Sequence, residues 1–255
     1  MPDGLRLALL LLTRIPAPHA RDHGPVVQGW SLAYYPLVGV LIGWALAAVP
    51  LAATLGLNPV APVVLAAITL VLWVLLTGAL HLDGLADSAD AWLGGHGDRA
   101  RSLAIMKDPA SGPAGVTALV LVLLLKFAAL SALLGGSGYW TAAWTLVWVP
   151  AMARSAAAVL LITTPYARPG GMGDAAARHA PRVAVWLGLV LVVCGAWGFG
   201  AGGVWVLLCC LVATLALRHI MIRRIAGTTG DTAGALVEIL EATALIAIVV
   251  GGGAP

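Results

Sequence analysis

The sequence predicts an all-α fold: a polytopic integral membrane helical bundle of about seven transmembrane helices plus a short N-terminal re-entrant or interfacial helix. Three observations carry that expectation. Of the 255 residues, 61% are hydrophobic and 10% are charged. Mean hydropathy is +0.98. Apolar runs of about 18 residues, enough to cross a bilayer, recur along the whole chain. A net charge of +3 gives no argument for a nucleic-acid partner; the partner the composition implies is the lipid bilayer. No linker, internal repeat or low-complexity tract divides residues 1–255, which read as one integral membrane catalytic domain.

The elements follow in order. Leu5–Leu12 is about half a span long, and the stretch Arg14-Ile15-Pro16-Ala17-Pro18 after it lacks a small-residue cleavage pattern, so it reads as a re-entrant or interfacial helix and not as a signal peptide. Spans are expected at roughly 30–55, 62–80, 114–134, 139–162, 183–199, 204–217 and 235–250. The connections 56–61, 135–138 and 200–203 carry no charge. The other side of the bundle takes the connections 13–29, 81–113, 163–182 and 218–234, and with Arg6 it holds twelve of the fourteen Lys and Arg residues. The positive-inside rule puts that side in the cytoplasm and the C-terminal "GGGAP" outside. The remaining two cations, Lys126 and Arg154, fall inside spans. Cys194, Cys209 and Cys210 also fall inside spans and read as small core residues, not as a disulfide or metal framework.

Function is expected on the charged side. In "HLDGLADSAD" the second span meets His81 and then three acids. If the helix continues, Asp83, Asp87 and Asp90 at i, i+4 and i+7 share one face. Three like charges on one face repel, so a cation should accompany them. Mg2+ is held by one or two carboxylates together with phosphates, and the three aspartates are therefore candidate metal ligands. The competing reading is a solvated face paired with Arg99 and Arg101. A second stripe, Asp231, Glu238 and Glu241, again lies on one face. At 1.5 Å per residue the two glutamates sit about 10 and 15 Å beyond Asp231, at intramembrane depth, where ionisable groups are functional candidates; the bland reading is an ion pair with Lys126 or Arg154 that fixes helix packing. In "IMKDPASGPAG", Lys107 is a candidate phosphate partner and the small-residue turn offers backbone N–H groups. Arg223 and Arg224 are ambiguous. His81 is a candidate proton carrier or ligand, while His19, His23, His96, His179 and His219 show no ligand spacing. Acids for Mg2+ and bases for phosphate on one face suit phosphoryl transfer, so the residues themselves read as a Mg2+-dependent membrane phosphotransferase.

At these residues the chain resembles the cobalamin synthase family, adenosylcobinamide-GDP ribazoletransferase. The resemblance rests on "LLTRIPAP", "YYPLVGVLIG", "HLDGLADSADA", "IMKDPASGPAG", "PAMARSAAAVLL", "PYARPGG" and "GTTGDTAGALVEILEA", present in this order. Two departures concern loop geometry: Ala91 stands where the family has glycine, and Pro109 and Pro113 stand where more polar residues are common. The resemblance implies transfer of the cobinamide phosphate of adenosylcobinamide-GDP to alpha-ribazole or its 5′-phosphate, with release of GMP. It implies Mg2+ on Asp83, Asp87 and Asp90, catalytic roles for Asp231, Glu238 and His81, and substrate binding by Lys107, Asp108, Arg154, Arg14 and Glu241. It also implies a bacterial inner membrane, with the site facing the cytoplasm, and leaves open a homo-oligomer or a complex with other cobalamin-pathway enzymes. The CDP-alcohol phosphotransferase pattern fails, because Asp83-Gly84-Leu85-Ala86 is followed by Asp87 and not by arginine. The alternative from another class is a cation- or proton-coupled transporter using Glu238, Glu241 and Lys126.

Overall fold

The structure is a computed structural model that describes residues 2–55, 60–136, 138–170 and 172–251. At the N-terminus α1 (Asp3–Leu12) and α2 (Pro25–Ala33) precede α3 (Tyr35–Ala53). The first apolar run is thus not one span from residue 30, since Trp30–Ala33 belong to α2. Pro36 explains the break: it has no N–H to return to the Leu32 carbonyl one turn earlier.

The second span differs from expectation in a way that matters more. The helix does not continue into the acids. It stops as α4 (Pro62–Thr77) at Gly78 (φ 60) and Ala79 (φ 58), both left-handed. The Gly78 N–H donates to Leu75 O and the Ala79 N–H donates to Val74 O, the paired bonds that close a helix end. Glycine takes the first left-handed position without steric cost. A new helix, α5 (Leu80–Gly94), then leaves at 85°. The aspartates therefore stand on a helix of their own.

The chain goes on through α6 (Arg99–Ile105), α7 (Pro113–Gly136), α8 (Tyr139–Thr163), α9 (Met172–His179) and α10 (Arg182–Gly195). A 3₁₀ turn (Ala196–Phe199), α11 (Gly202–Ile225) and α12 (Gly230–Val250) complete it. Among the described residues six helical segments are long and apolar enough to cross a membrane: α3, α7, α8, α10 with its 3₁₀ turn, α11 and α12. With α4 as a seventh crossing and α5 turned across the charged face, the chain alternates sides as the loop charges require. The span expected at 204–217 runs on to Ile225, and the loop 163–182 contains α9. Residues 56–59, Ser137 and 252–255, on which parts of the uncharged loops and the tail fall, lie outside the described residues.

The charged loops are tied to one another. Arg99 donates to Ala167 O, Arg218 to Thr163 O and Arg224 to Trp92 O. Among the described residues neither Arg99 nor Arg101 pairs with the acids of α5. In the middle of the bundle α8 and α12 form the core. Gly39 and Gly43 let α3 lie against α8, where a Cβ would come within 2.5 Å of Ala151 Cα and 2.4 Å of Val147 Cα.

The core also holds four charges. Lys126 on α7 donates to Glu238 and Glu241 of α12, and Arg154 on α8 donates to Glu241, each at 2.5 Å. Exposure is 2% for Lys126, 4% for Glu238 and 0% for Arg154 and Glu241. The ammonium also sits 5.0 Å from the centroid of the Trp73 ring of α4, a cation–π contact. The packing role expected of an intramembrane ion pair is thus filled, and one network pins four helices. Removing one member of a buried pair strands its partner, at a cost of about 3–5 kcal/mol. Lys126→Met and Glu238→Gln should each lower the thermal midpoint of the protein in detergent. The double variant should lie closer to the unaltered protein than the sum of the two losses; strict additivity would show that the pair does not act as a unit.

Candidate active site

The two acidic segments meet where α5 crosses α12. A Cβ on Gly84 would lie 2.6 Å from Asp231 O, and one on Gly234 would lie 3.3 Å from His81 Cα. Small residues at both crossing points bring the backbones together. Asp83 is exposed, while Asp87, Asp90 and Asp231 are half-buried. The charges press on one another: burial first, then Asp83 and Asp231, push the Asp87 carboxyl up to about 6, with Arg168 opposing them. Asp231 lies in the first turn of α12, where the helix dipole favours a negative group. That end is set by a capping box, in which the Thr229 hydroxyl accepts the Thr232 N–H and the Thr232 hydroxyl accepts the Thr229 N–H.

Arg168 was given no role by the sequence. Its guanidinium donates to Asp231 at 2.9 Å, and its buried Nε and Nη2 have no partner among the described residues. It offers donors to an anion beside the acids. The one signal in the sequence was its place in "PYARPGG", between Ala167 and Pro169; its partner is 63 residues away.

The third aspartate behaves differently from its neighbours. Asp90 Oδ2 accepts the Gly112 N–H at 2.6 Å and Oδ1 accepts the Gly115 N–H at 2.9 Å. Both oxygens hold the start of α7. The two glycines are needed for that approach, since a Cβ on Gly115 would lie 2.4 Å from Asp90 Oδ2. The preceding loop is thereby anchored to α5. On it Lys107 and Asp108 are exposed, and Asp108 accepts the Ala110 N–H in a local turn.

A cavity of about 320 Å³ opens beside the crossing, walled by α1, α2, α5, α8, α9 and α12. Asp83, Asp231, Gly230 and Tyr166 line it together with His81 and Arg154. Exposure falls from Asp83 and Gly230, at the open end, to Arg154, which is fully buried. His81 is buried and its Nδ1 has no partner among the described residues. The remaining candidates lie elsewhere. Arg14 is exposed, and its side chain covers Gly78 at the α4–α5 break. Glu238 and Glu241 face Lys126 and Arg154 and do not line the cavity.

Among the described residues no three His, Cys, Asp or Glu side chains converge tightly enough to ring an ion. A cation that keeps several of its waters needs only one or two carboxylates. Asp83, Asp87 and Asp231 supply hard oxygen donors in excess of the one arginine that offsets them, and this set fits Mg2+.

The cobalamin-5-phosphate synthase family matches residues 4–249. An adenosylcobinamide-GDP ribazoletransferase of Pseudomonas paraeruginosa is 51% identical over 248 residues, covering 96% of this chain and 97% of its own length. The enzyme of that name from Pseudomonas putida is 51% identical over 246 residues, with 96% and 98% covered. The one from Stutzerimonas stutzeri is 49% identical over 244 residues, with 96% of each chain covered. No solved structure matches. Matched from α1 to the end of α12, the chain belongs to the cobalamin-5-phosphate synthase family.

Proposed function

We propose that this membrane transferase of cobalamin biosynthesis moves the cobinamide phosphate of adenosylcobinamide-GDP onto alpha-ribazole or alpha-ribazole 5′-phosphate, in a Mg2+-dependent reaction. The observation that carries this reading is the meeting of Asp83 and Asp231, from two distant segments, at the open end of one cavity. A ribose hydroxyl of the acceptor attacks the cobinamide-linked phosphorus. The new P–O bond forms there as the pyrophosphate bond breaks, and GMP leaves with the bridging oxygen. The hydroxyl proton passes to a carboxylate of the cavity rim, Asp231 or Asp83, and from there to water.

Asp83 and Asp87, with Asp231 beside them, would hold the metal. Bound there, Mg2+ would neutralise the pyrophosphate and polarise its oxygens. Arg168 holds Asp231, keeps two donors without a partner among the described residues, and suits a phosphate oxygen; Lys107 is a second candidate on the loop held by Asp90. Asp90 serves by fixing that loop. His81 and Arg154 bind substrate at the inner end, and Glu238 and Glu241 support Arg154 and Lys126 from behind. The transporter alternative loses its basis, because its three residues pair with one another and the family is one of transferases.

The charged face is the cytoplasmic one, in the inner membrane of a bacterium. In a cysteine-free background, Gly138→Cys should react with an impermeant maleimide in intact cells. Arg178→Cys should react only after permeabilisation, and equal labelling from outside would refute the orientation.

Release of GMP from adenosylcobinamide-GDP, measured with purified protein, tests the reaction. Asp83→Asn, Asp87→Asn and Asp231→Asn should each lose most of it, on the order of 100-fold or more, since the loss removes charge from the reacting centre. The first two should also need more Mg2+ for half-maximal rate. Asp90→Asn should chiefly lower the thermal midpoint, with a smaller change in Mg2+ requirement. Full turnover at low Mg2+ by all three of the first set would sink the metal assignment.

A further inference from the structure

Phosphoryl chemistry explains the rim of the cavity and leaves its interior unexplained. The cavity of about 320 Å³ is at the small end of small-molecule sites, roughly 300–1,000 Å³. A corrinoid macrocycle with its amide arms exceeds it, whereas a two-ring heterocycle does not. The walls are apolar: Leu7 and Leu12 of α1, Leu32 of α2, Leu161 of α8 and Val237 of α12. At the inner end Arg154 has committed Nη1 to Pro150 O and Glu241. Its Nε and Nη2, and the Nδ1 of His81, are buried without partners among the described residues. The two guanidinium nitrogens carry N–H groups, and a buried donor left unpaired is costly; an acceptor on a ligand removes that cost.

The charge at this depth narrows the ligand. Lys126 and Arg154 are balanced by Glu238 and Glu241, so the inner end offers N–H groups with no net positive charge. A phosphate moved there would lose its hydration without a counter-charge. An uncharged ring with an acceptor nitrogen would not. Guanine fits less well, because its edge also carries donors, and among the described residues the one buried side-chain oxygen in the wall without a partner is Gln28 Oε1 on α2.

Resting on the reaction assigned above, we propose that this cavity is the subsite for the planar aromatic base of the acceptor nucleoside, with Arg154 donating to the ring nitrogen that bears no sugar. The base enters first and packs between the leucines. The ribose then stands at the open end, with its hydroxyls beside Asp83 and Asp231. The subsite thus orients the attacking hydroxyl through a part of the substrate that does not react, a recognised use of binding energy.

The test uses full-length protein in nanodiscs, with GMP release as the assay. Ala157, on α8 in the cavity wall, is changed to Phe to fill the space. Ala157→Phe should raise KM for alpha-ribazole about tenfold or more and leave KM for adenosylcobinamide-GDP within about twofold. An indole analogue of alpha-ribazole, with C–H in place of the ring nitrogen, should bind the unaltered enzyme about tenfold more weakly, as loss of one hydrogen bond to a charged donor requires. That discrimination should vanish in the double variant Arg154→Met, Glu241→Gln, which removes the cation together with its counter-charge. Free dimethylbenzimidazole should raise the thermal midpoint of the unaltered protein and not that of Ala157→Phe. The subsite is overturned if both KM values rise together, if the indole analogue binds as well as alpha-ribazole, or if guanosine protects where dimethylbenzimidazole does not. It is also overturned if a phospholipid fills the cavity and the base does not displace it. No GMP release by the unaltered enzyme would instead overturn the reaction itself, so the two failures are distinguishable.

Discussion

The contact on which the site depends is that of Gly84 with the backbone at Asp231. Two helices carrying acids must approach closely, although like charges at the edge of a low-dielectric region repel more than they do in water. Only backbone contact at glycine brings α5 near enough, since any Cβ at Gly84 would overlap the Asp231 carbonyl. The repulsion is left standing in the carboxyl of Asp87, raised to about 6 by burial and by its neighbours. A bound cation would relieve that repulsion, and the proposed Mg2+ site rests on it.

The acids divide by depth. Glu238 and Glu241, inside the bundle, are matched to Lys126 and Arg154 and make a balanced network that fixes α7, α8 and α12. Asp83, Asp87 and Asp231, at the edge, face one arginine. Charges buried in the bundle must be compensated within the protein, whereas charges at the face can remain open to solvent, substrate and metal. The same helix, α12, thus carries a half-buried acid at the cavity rim at its start and structural acids two and three turns further in. Arg154 joins the two layers, with one nitrogen in the network and two others without a partner among the described residues at the inner end of the cavity.

The break at Gly78 and Ala79 gives this architecture its shape. Had α4 continued, the three aspartates would have left the bundle along the membrane normal and away from α12. The turn of 85° lays α5 across the charged face, so that α12 meets it near Gly84 and the start of α7 meets it at Asp90. Arg14 covers the outside of the turn. A second span that looks continuous in hydropathy therefore yields both a crossing helix and a platform.

The sequence by itself determined the helical membrane class, the spans to within a turn or two, the charged face and the two acidic stripes. These follow from local quantities, namely run length, charge per loop and helical spacing, which no distant residue can alter. Its errors were also local in cause: Pro36 and the Gly78-Ala79 pair ended helices inside apolar runs, where hydropathy carries no signal of a break. Only the tertiary structure decided which acids lie together. Asp90 and Asp87 look alike in the sequence, yet Asp90 accepts the Gly112 and Gly115 N–H groups while the Asp87 carboxyl is raised by burial and by the charges of Asp83 and Asp231. Arg168 became part of the site through a partner 63 residues away, and the cavity exists because α1, α2 and α9 close over α8 and α12. Spacing along one helix states which residues share a face, but it cannot state what that face meets.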